Sequence, residues 1–122
     1  MKKITPFLWF NTQAEEAMNF YVSIFKNSKA GEVRRAGPNG PVISVTFTLD
    51  GTEFYALNGG PHYQLSPAFS MYVDCKDQNE VDELYSKLLE GGGKEDQCGW
   101  IRDRFGLSWQ IIPSALPQLL YH

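Results

Sequence analysis

Few side chains in this chain are equipped for covalent or proton-transfer chemistry, and their spacing narrows the choice further. There are two histidines: His62 sits in a Gly-Pro segment and His122 ends the sequence. Neither has an adjacent partner that would complete a Ser-His-Asp or Cys-His system. Cys75 and Cys98 are too few and too irregularly spaced for a disulfide framework or a zinc site. They read as two reduced thiols, with a pairing between them left open. Glu15, Glu16, Glu80, Asp82, Glu83 and Glu90 fall on the polar sides of two helical patterns, as a solvated surface requires. Asp50 precedes Gly51, and Asp103 precedes Arg104-Phe105-Gly106; both read as turn residues whose carboxylates bond local amides. Arg102 shares a strand face with Trp100, where a surface salt bridge explains it better than an anionic ligand. No catalytic residue emerges.

Binding chemistry is better represented. Trp9, Phe10, Phe54, Tyr55, Phe69, Tyr72, Trp100, Phe105 and Trp109 lie on or beside strand patterns, and most are expected in the core. Strand alternation turns Tyr55 and Gln110 away from Phe54 and Trp109. If Phe54 and Trp109 pack under helices, then Tyr55, Leu57, Ser108, Gln110 and Ile112 line the opposite side. Apolar walls carrying a phenol, a hydroxyl and an amide suit a pocket for a small organic ligand. A buried Gln110 needs hydrogen-bond partners, which Tyr55, Ser70 or a ligand can supply.

The elements that must position these residues come in two copies. Glu16-Ala17-Met18-Asn19-Phe20-Tyr21 aligns with Glu80-Val81-Asp82-Glu83-Leu84-Tyr85 at an offset of 64 residues. Both segments carry the helical apolar period: Ala17, Phe20, Tyr21, Ile24 and Phe25 in the first, Val81, Leu84, Tyr85, Leu88 and Leu89 in the second. Thr12 with Glu15, and Asp77 with Glu80, have the spacing of a capping box. Asn27 and Gly91-Gly92-Gly93 supply the stops. The same offset carries a strand at 4–10 onto one at 68–74. Each helix is followed by three strands: 32–36, 42–49 and 53–58, then 94–97, 100–103 and 107–112. Asp50-Gly51 between alternating runs is a strong hairpin signal, and Arg104-Phe105-Gly106 is its counterpart. Each half is therefore β-α-β-β-β. One such unit is too small to bury its own oily sheet face. Two together can form a shared, curved sheet with the helices outside and a cavity within.

Composition excludes several other classes. A chain of 122 residues with 43% hydrophobic content suits one globular domain. The boundaries expected are 1–122 for the domain, 1–60 and 66–113 for the modules, and 114–122 for a short tail. A formal charge of -3 without a lysine-arginine block argues against a nucleic-acid partner. No apolar run approaches the roughly 20 residues of a membrane span, and no signal-peptide core leads the chain, so a cytoplasmic protein is expected.

The duplicated unit resembles the vicinal oxygen chelate superfamily, which includes glyoxalase I, extradiol dioxygenases and bleomycin- and fosfomycin-resistance proteins. Within it the chain is similar to the PhnB-like group, often labelled 3-demethylubiquinone-9 3-methyltransferase-like. The resemblance rests on Pro6-Phe7-Leu8-Trp9-Phe10, the two aligned helices with Phe25, Ala56-Leu57-Asn58-Gly59-Gly60-Pro61 and the run Gly99–Pro113. It implies an α+β fold of two β-α-β-β-β modules forming a curved mixed sheet around a cavity. It also implies a homodimer. The methyltransferase label finds no support in the residues, because no glycine-rich nucleotide-type loop follows the first strand.

Metal-binding members of the superfamily place a His or Glu at each of four strand positions. Carried over by spacing, these positions fall here on Pro6, Tyr55, Ser70 and Gln110. None is a carboxylate, an imidazole or a thiolate, so no metal and no other cofactor is expected. The resulting expectation is a metal-free small-molecule binding protein using Tyr55, Leu57, Ser70, Trp100, Ser108 and Gln110. The alternatives are a metal-dependent lyase, isomerase or dioxygenase of the same superfamily, and a structural scaffold without a ligand.

Overall fold

A computed structural model describes residues 2–96 and 99–114. Cys98, Gln97 and the expected tail from 115 onward lie outside the described residues. The chain divides into two compact units, Met1–Leu65 and Ser66–His122.

The first unit runs β1 (Phe7–Phe10), α1 (Ala14–Ile24), β2 (Lys29–Arg35), β3 (Val42–Leu49) and β4 (Thr52–Asn58). Its sheet has the order β1-β4-β3-β2. β1 and β4 are parallel, with Phe7 opposite Tyr55 and Trp9 opposite Leu57, while the other pairs are antiparallel. Alternation decides what is buried. Leu8 and Phe10 of β1, Val45, Phe47 and Leu49 of β3, and Phe54 and Ala56 of β4 are all buried. They face Ala14, Ala17, Met18, Tyr21 and Ile24 of α1. Phe47 stacks on Phe54 with ring centroids 5.4 Å apart. Fully burying a side chain of this size contributes about 1.5–3 kcal/mol, so these few residues hold the helix on the sheet.

The second unit repeats the scheme with β5 (Ser70–Cys75), α2 (Gln78–Leu89), β6 (Lys94–Glu95), β7 (Ile101–Arg102) and β8 (Ser108–Pro113). Its order, β5-β8-β7-β6, has the same topology, with β5 and β8 parallel. Among the described residues its core is smaller: Leu84 and Leu88 of α2 are buried, as are Ile101, Leu107, Trp109, Ile111 and Cys75. The α+β class and the duplicated β-α-β-β-β unit are thus present as the sequence implied. α1 and α2 start at Ala14 and Gln78, which keeps the 64-residue offset. The copies differ afterwards, because β6 and β7 have 2 residues each where β2 and β3 have 7 and 8.

Several local expectations need correction. β1 begins at Phe7 rather than Ile4, and Ile4 is 86% exposed. Thr12 does not cap α1: the cap residue is Gln13, without a side-chain bond, and the Ala14 amide donates to Asn58 Oδ1 at 2.8 Å. The cap thus comes from the end of β4, 44 residues away. α2 behaves as expected, with Asp77 Oδ1 accepting from the Glu80 amide at 2.9 Å. Glu80 Oε1 in turn accepts from the Lys76 amide, one residue before the position of a standard capping box. Phe20 and Phe25 are half-buried, and Met18 takes the central place on α1.

Candidate functional site

The β7–β8 hairpin determines which way the candidate residues of the second unit point. Its turn is a three-residue loop. The Asp103 amide donates to the Leu107 carbonyl at 2.9 Å, and the Gly106 amide closes back on the Asp103 carbonyl at 2.9 Å. Gly106 sits at φ 95, the left-handed position that follows a type I turn in such loops. The first hairpin has a different turn. Asp50 and Gly51 both have positive φ, 48 and 82, as a two-residue type I′ turn requires. Counting four residues past each glycine still places Tyr55 and Gln110 on equivalent faces, opposite the buried Phe54 and Trp109.

Asp103 is 3% exposed and its carboxylate is engaged by three donors. Oδ1 accepts from the Phe105 amide at 2.9 Å and the Leu107 amide at 3.1 Å. Oδ2 accepts from Trp109 Nε1 at 2.8 Å. The local-amide role read from sequence is present, and the indole bond extends it into the core. With Trp109 drawn inward by this bond, its neighbours Ser108 and Gln110 must face the other side of the sheet. There Gln110 Nε2 donates to Ser70 Oγ at 2.9 Å. Of the partners weighed for Gln110, the structure therefore selects Ser70. Ser108 lies in register between Ser70 on β5 and Arg102 on β7. Arg102 forms the expected salt bridge, with Nη2 3.1 Å from Asp96 Oδ2. Trp100 is half-buried just ahead of β7, and its carbonyl accepts from the Asp96 amide. The structure thus brings Ser70, Ser108 and Gln110 together, with Trp100 beside the same hairpin.

Tyr55 and Leu57 belong to the first unit. Both are half-buried on the sheet face away from α1. Phe7 and Trp9, their register partners on β1, extend that face. The Phe7 and Tyr55 rings are 5.8 Å apart, and Phe7 is 58% exposed. Trp9 donates through Nε1 to the Gly60 carbonyl at 2.9 Å, and Tyr63 meets its ring edge-on at 4.9 Å. A side chain at Gly59 would overlap the Trp9 ring, so this close approach needs glycine. Sequence reasoning expected most strand aromatics in the core; Phe69 and Tyr72 are exposed instead. A shallow depression of about 640 Å³ opens beside the start of α1, between Thr12, Glu15, Pro41 and Ile43. None of the six expected ligand residues lines it. Its Asn58 is occupied structurally, by Ala14 on one side and the Val42 carbonyl on the other.

The positions carried over from metal-binding relatives can be judged by their donor chemistry. The Pro6 carbonyl accepts from the Tyr55 amide at 3.0 Å, and the Ser70 hydroxyl accepts from Gln110. Divalent cations are held chiefly by carboxylate, imidazole or thiolate ligands, and a hydroxyl, a phenol, an amide and a proline fit one poorly. Among the described residues no three His, Cys, Asp or Glu side chains converge. Cys75 is buried, and burial first, then the Glu80 carboxylate, push its thiol up to about 11. A thiol held protonated in this way is a poor nucleophile. Among the described residues no helix is long and apolar enough to cross a membrane.

The model of the 3-demethylubiquinone-9 3-methyltransferase family matches residues 2–112. A PhnB protein from Bacillus cereus is 37% identical, with a TM-score of 0.77, covering 89% of this chain and 97% of its own. Protein PA1353 from Pseudomonas aeruginosa shares the fold at 19% identity and a TM-score of 0.67, covering 89% and 95% of the two chains. A protein from Bacillus cereus described as a possible glyoxalase shares it at 13% identity and 0.56, covering 88% and 96%. No curated protein matches the sequence.

Proposed function

The chain belongs to the 3-demethylubiquinone-9 3-methyltransferase family, the PhnB-like group of the vicinal oxygen chelate superfamily, and from that premise we propose that it binds a small organic molecule without using a metal. One observation carries this reading. Where metal-binding relatives hold a His or Glu, this chain has a hydroxyl and an amide hydrogen-bonded to each other, Ser70 and Gln110. Such groups orient a neutral organic ligand well and a cation poorly. In this reading Trp100 and Ser108 are further contact residues of the second module, and the half-buried Tyr55 and Leu57 are candidates on the first. The name of the family does not extend this reading to methyl transfer.

The same proposal has the protein acting in the cytoplasm as a homodimer, without nucleic-acid or membrane partners. The exposed Ile4 and Phe7 of the first module offer apolar surface that an association would cover. Sedimentation equilibrium tests this point, and a monomer at all concentrations would remove it.

Two measurements test the binding reading. Titration calorimetry with nickel, zinc and manganese should show no stoichiometric uptake; tight one-to-one binding would favour the metal-dependent enzyme. A thermal-shift screen with planar aromatic compounds should find stabilising ligands, since a molecule that binds only the folded state raises its melting temperature. A broad library without a single hit would favour a scaffold.

A further inference from the structure

Among the described residues, one buried side-chain oxygen has no hydrogen-bond partner: Ser108 Oγ. Ser108 is 1% exposed. Buried hydroxyls are nearly always bonded, and an orphan marks strain, a place for a bound water, or a function. Alternation with the buried Trp109 places it on the sheet face that carries Gln110. On that face its register partner is Ser70, the residue Gln110 already holds at 2.9 Å.

Donor and acceptor accounting shows what is spent. Gln110 uses one amide proton, and Ser70 uses one lone pair. The Gln110 carbonyl, its second amide proton and the Ser70 proton have no partner among the described residues. Ser108 has its whole hydroxyl free. All three groups are neutral, and the nearest cation in register, Arg102, is engaged by Asp96 at 3.1 Å. Tyr72 stands opposite Gln110 on β5 with 54% of its surface exposed, a flat apolar neighbour for whatever meets the amide.

We propose that Ser70, Ser108 and Gln110 form an exchangeable recognition subsite for the neutral amide edge of a planar ligand, a carbonyl next to an N–H as in a lactam. Gln110 turns its carboxamide from Ser70 to the ligand, donating N–H to the ligand carbonyl and accepting the ligand N–H at Oε1. Ser108 then donates its proton to Ser70, so the hydroxyl that Gln110 leaves regains a partner. Neighbouring strands lie about 4.8 Å apart, within reach of a χ1 rotation. Ser108 is thus a positioning residue, whose missing bond in the free protein is restored in the complex. The subsite rests on the small-molecule reading above and adds the class of ligand.

The test uses the full chain and two matched bicyclic probes, 2-quinolone and quinoline, the second lacking both the carbonyl and the N–H. Calorimetry should show 2-quinolone binding at least tenfold more tightly than quinoline. Gln110→Leu should abolish that ratio. Ser108→Ala should shrink it at least threefold while the melting temperature of the free protein stays level or rises, because no bond is lost there. Equal binding of the two probes to the wild type overturns the subsite and leaves small-molecule binding standing. Binding of neither overturns the lactam subsite, and small-molecule binding itself then stands or falls with the library screen. A clear drop in melting temperature in Ser108→Ala also overturns the subsite, since it would show that the hydroxyl serves the free fold.

Discussion

The two modules share a topology and differ in how they hold it. The first has strands of 7 and 8 residues in its middle, an all-apolar core face and an outer face rich in rings, with Phe7, Trp9, Tyr55 and Leu57 side by side. The second has middle strands of 2 residues each and, among the described residues, fewer buried apolar groups. It compensates with a polar device, the Asp103 carboxylate that fixes turn and indole together. Its outer face carries Ser70, Ser108 and Gln110. A duplicated unit has thus kept one frame while one copy relies on packing and the other on directed hydrogen bonds.

That contrast can be broken most decisively at the two turns. Asp103→Ala leaves two amides and an indole N–H without their charged acceptor, which should destabilise the protein by about 3–5 kcal/mol. Asp50→Ala removes only a residue tolerant of positive φ and should cost about 1 kcal/mol. Equal losses in urea denaturation would mean the modules are held alike.

The helix starts come next. Asn58→Ala removes both the acceptor for Ala14 and the donor to Val42 and should cost about 2 kcal/mol. Asp77→Ala removes one local cap and should cost about 1 kcal/mol. The ordering of the two, read from the same denaturation curves, sharpens the difference between a tertiary and a local cap.

At neutral pH the smallest effect is at Cys75, and it grows only in alkali. Its folded thiol keeps its proton to about 11, against an ordinary value of 9.0. The unfolded chain therefore ionises first. The contribution to stability is full below pH 9 and declines as the pH rises toward 11, reaching about 1.4 kcal/mol of loss at pH 10. Cys75→Ala should flatten that decline, and an unchanged slope in alkaline denaturation would count against the burial argument.

What could be read from the sequence was whatever is local. The 64-residue repeat, the Asp-Gly turn, the Asp77 cap and the opposed directions of Trp109 and Gln110 all depend on neighbours within one element. Hidden from it were bonds between residues distant in sequence, such as Ala14 to Asn58 and Gln110 to Ser70. The Thr12 cap failed because a carbonyl oxygen from another strand reached the helix first. Phe69 and Tyr72 could be read as strand aromatics without any sign of whether their surface is covered, and both are exposed. The Gln110 partner was narrowed to a few candidates by donor counting; only the three-dimensional register chose Ser70.

Asn58 has a consequence for how the first module opens. One side chain joins the first amide of α1 to the start of β3 from the end of β4. The first turn of α1 cannot fray without releasing that strand end, so local opening there is coupled to the sheet. In hydrogen exchange the Ala14 amide should keep pace with the slow amides of β4. The Glu80 amide of α2, held within its own turn by Asp77, should exchange on the faster schedule of a helix end that loosens alone.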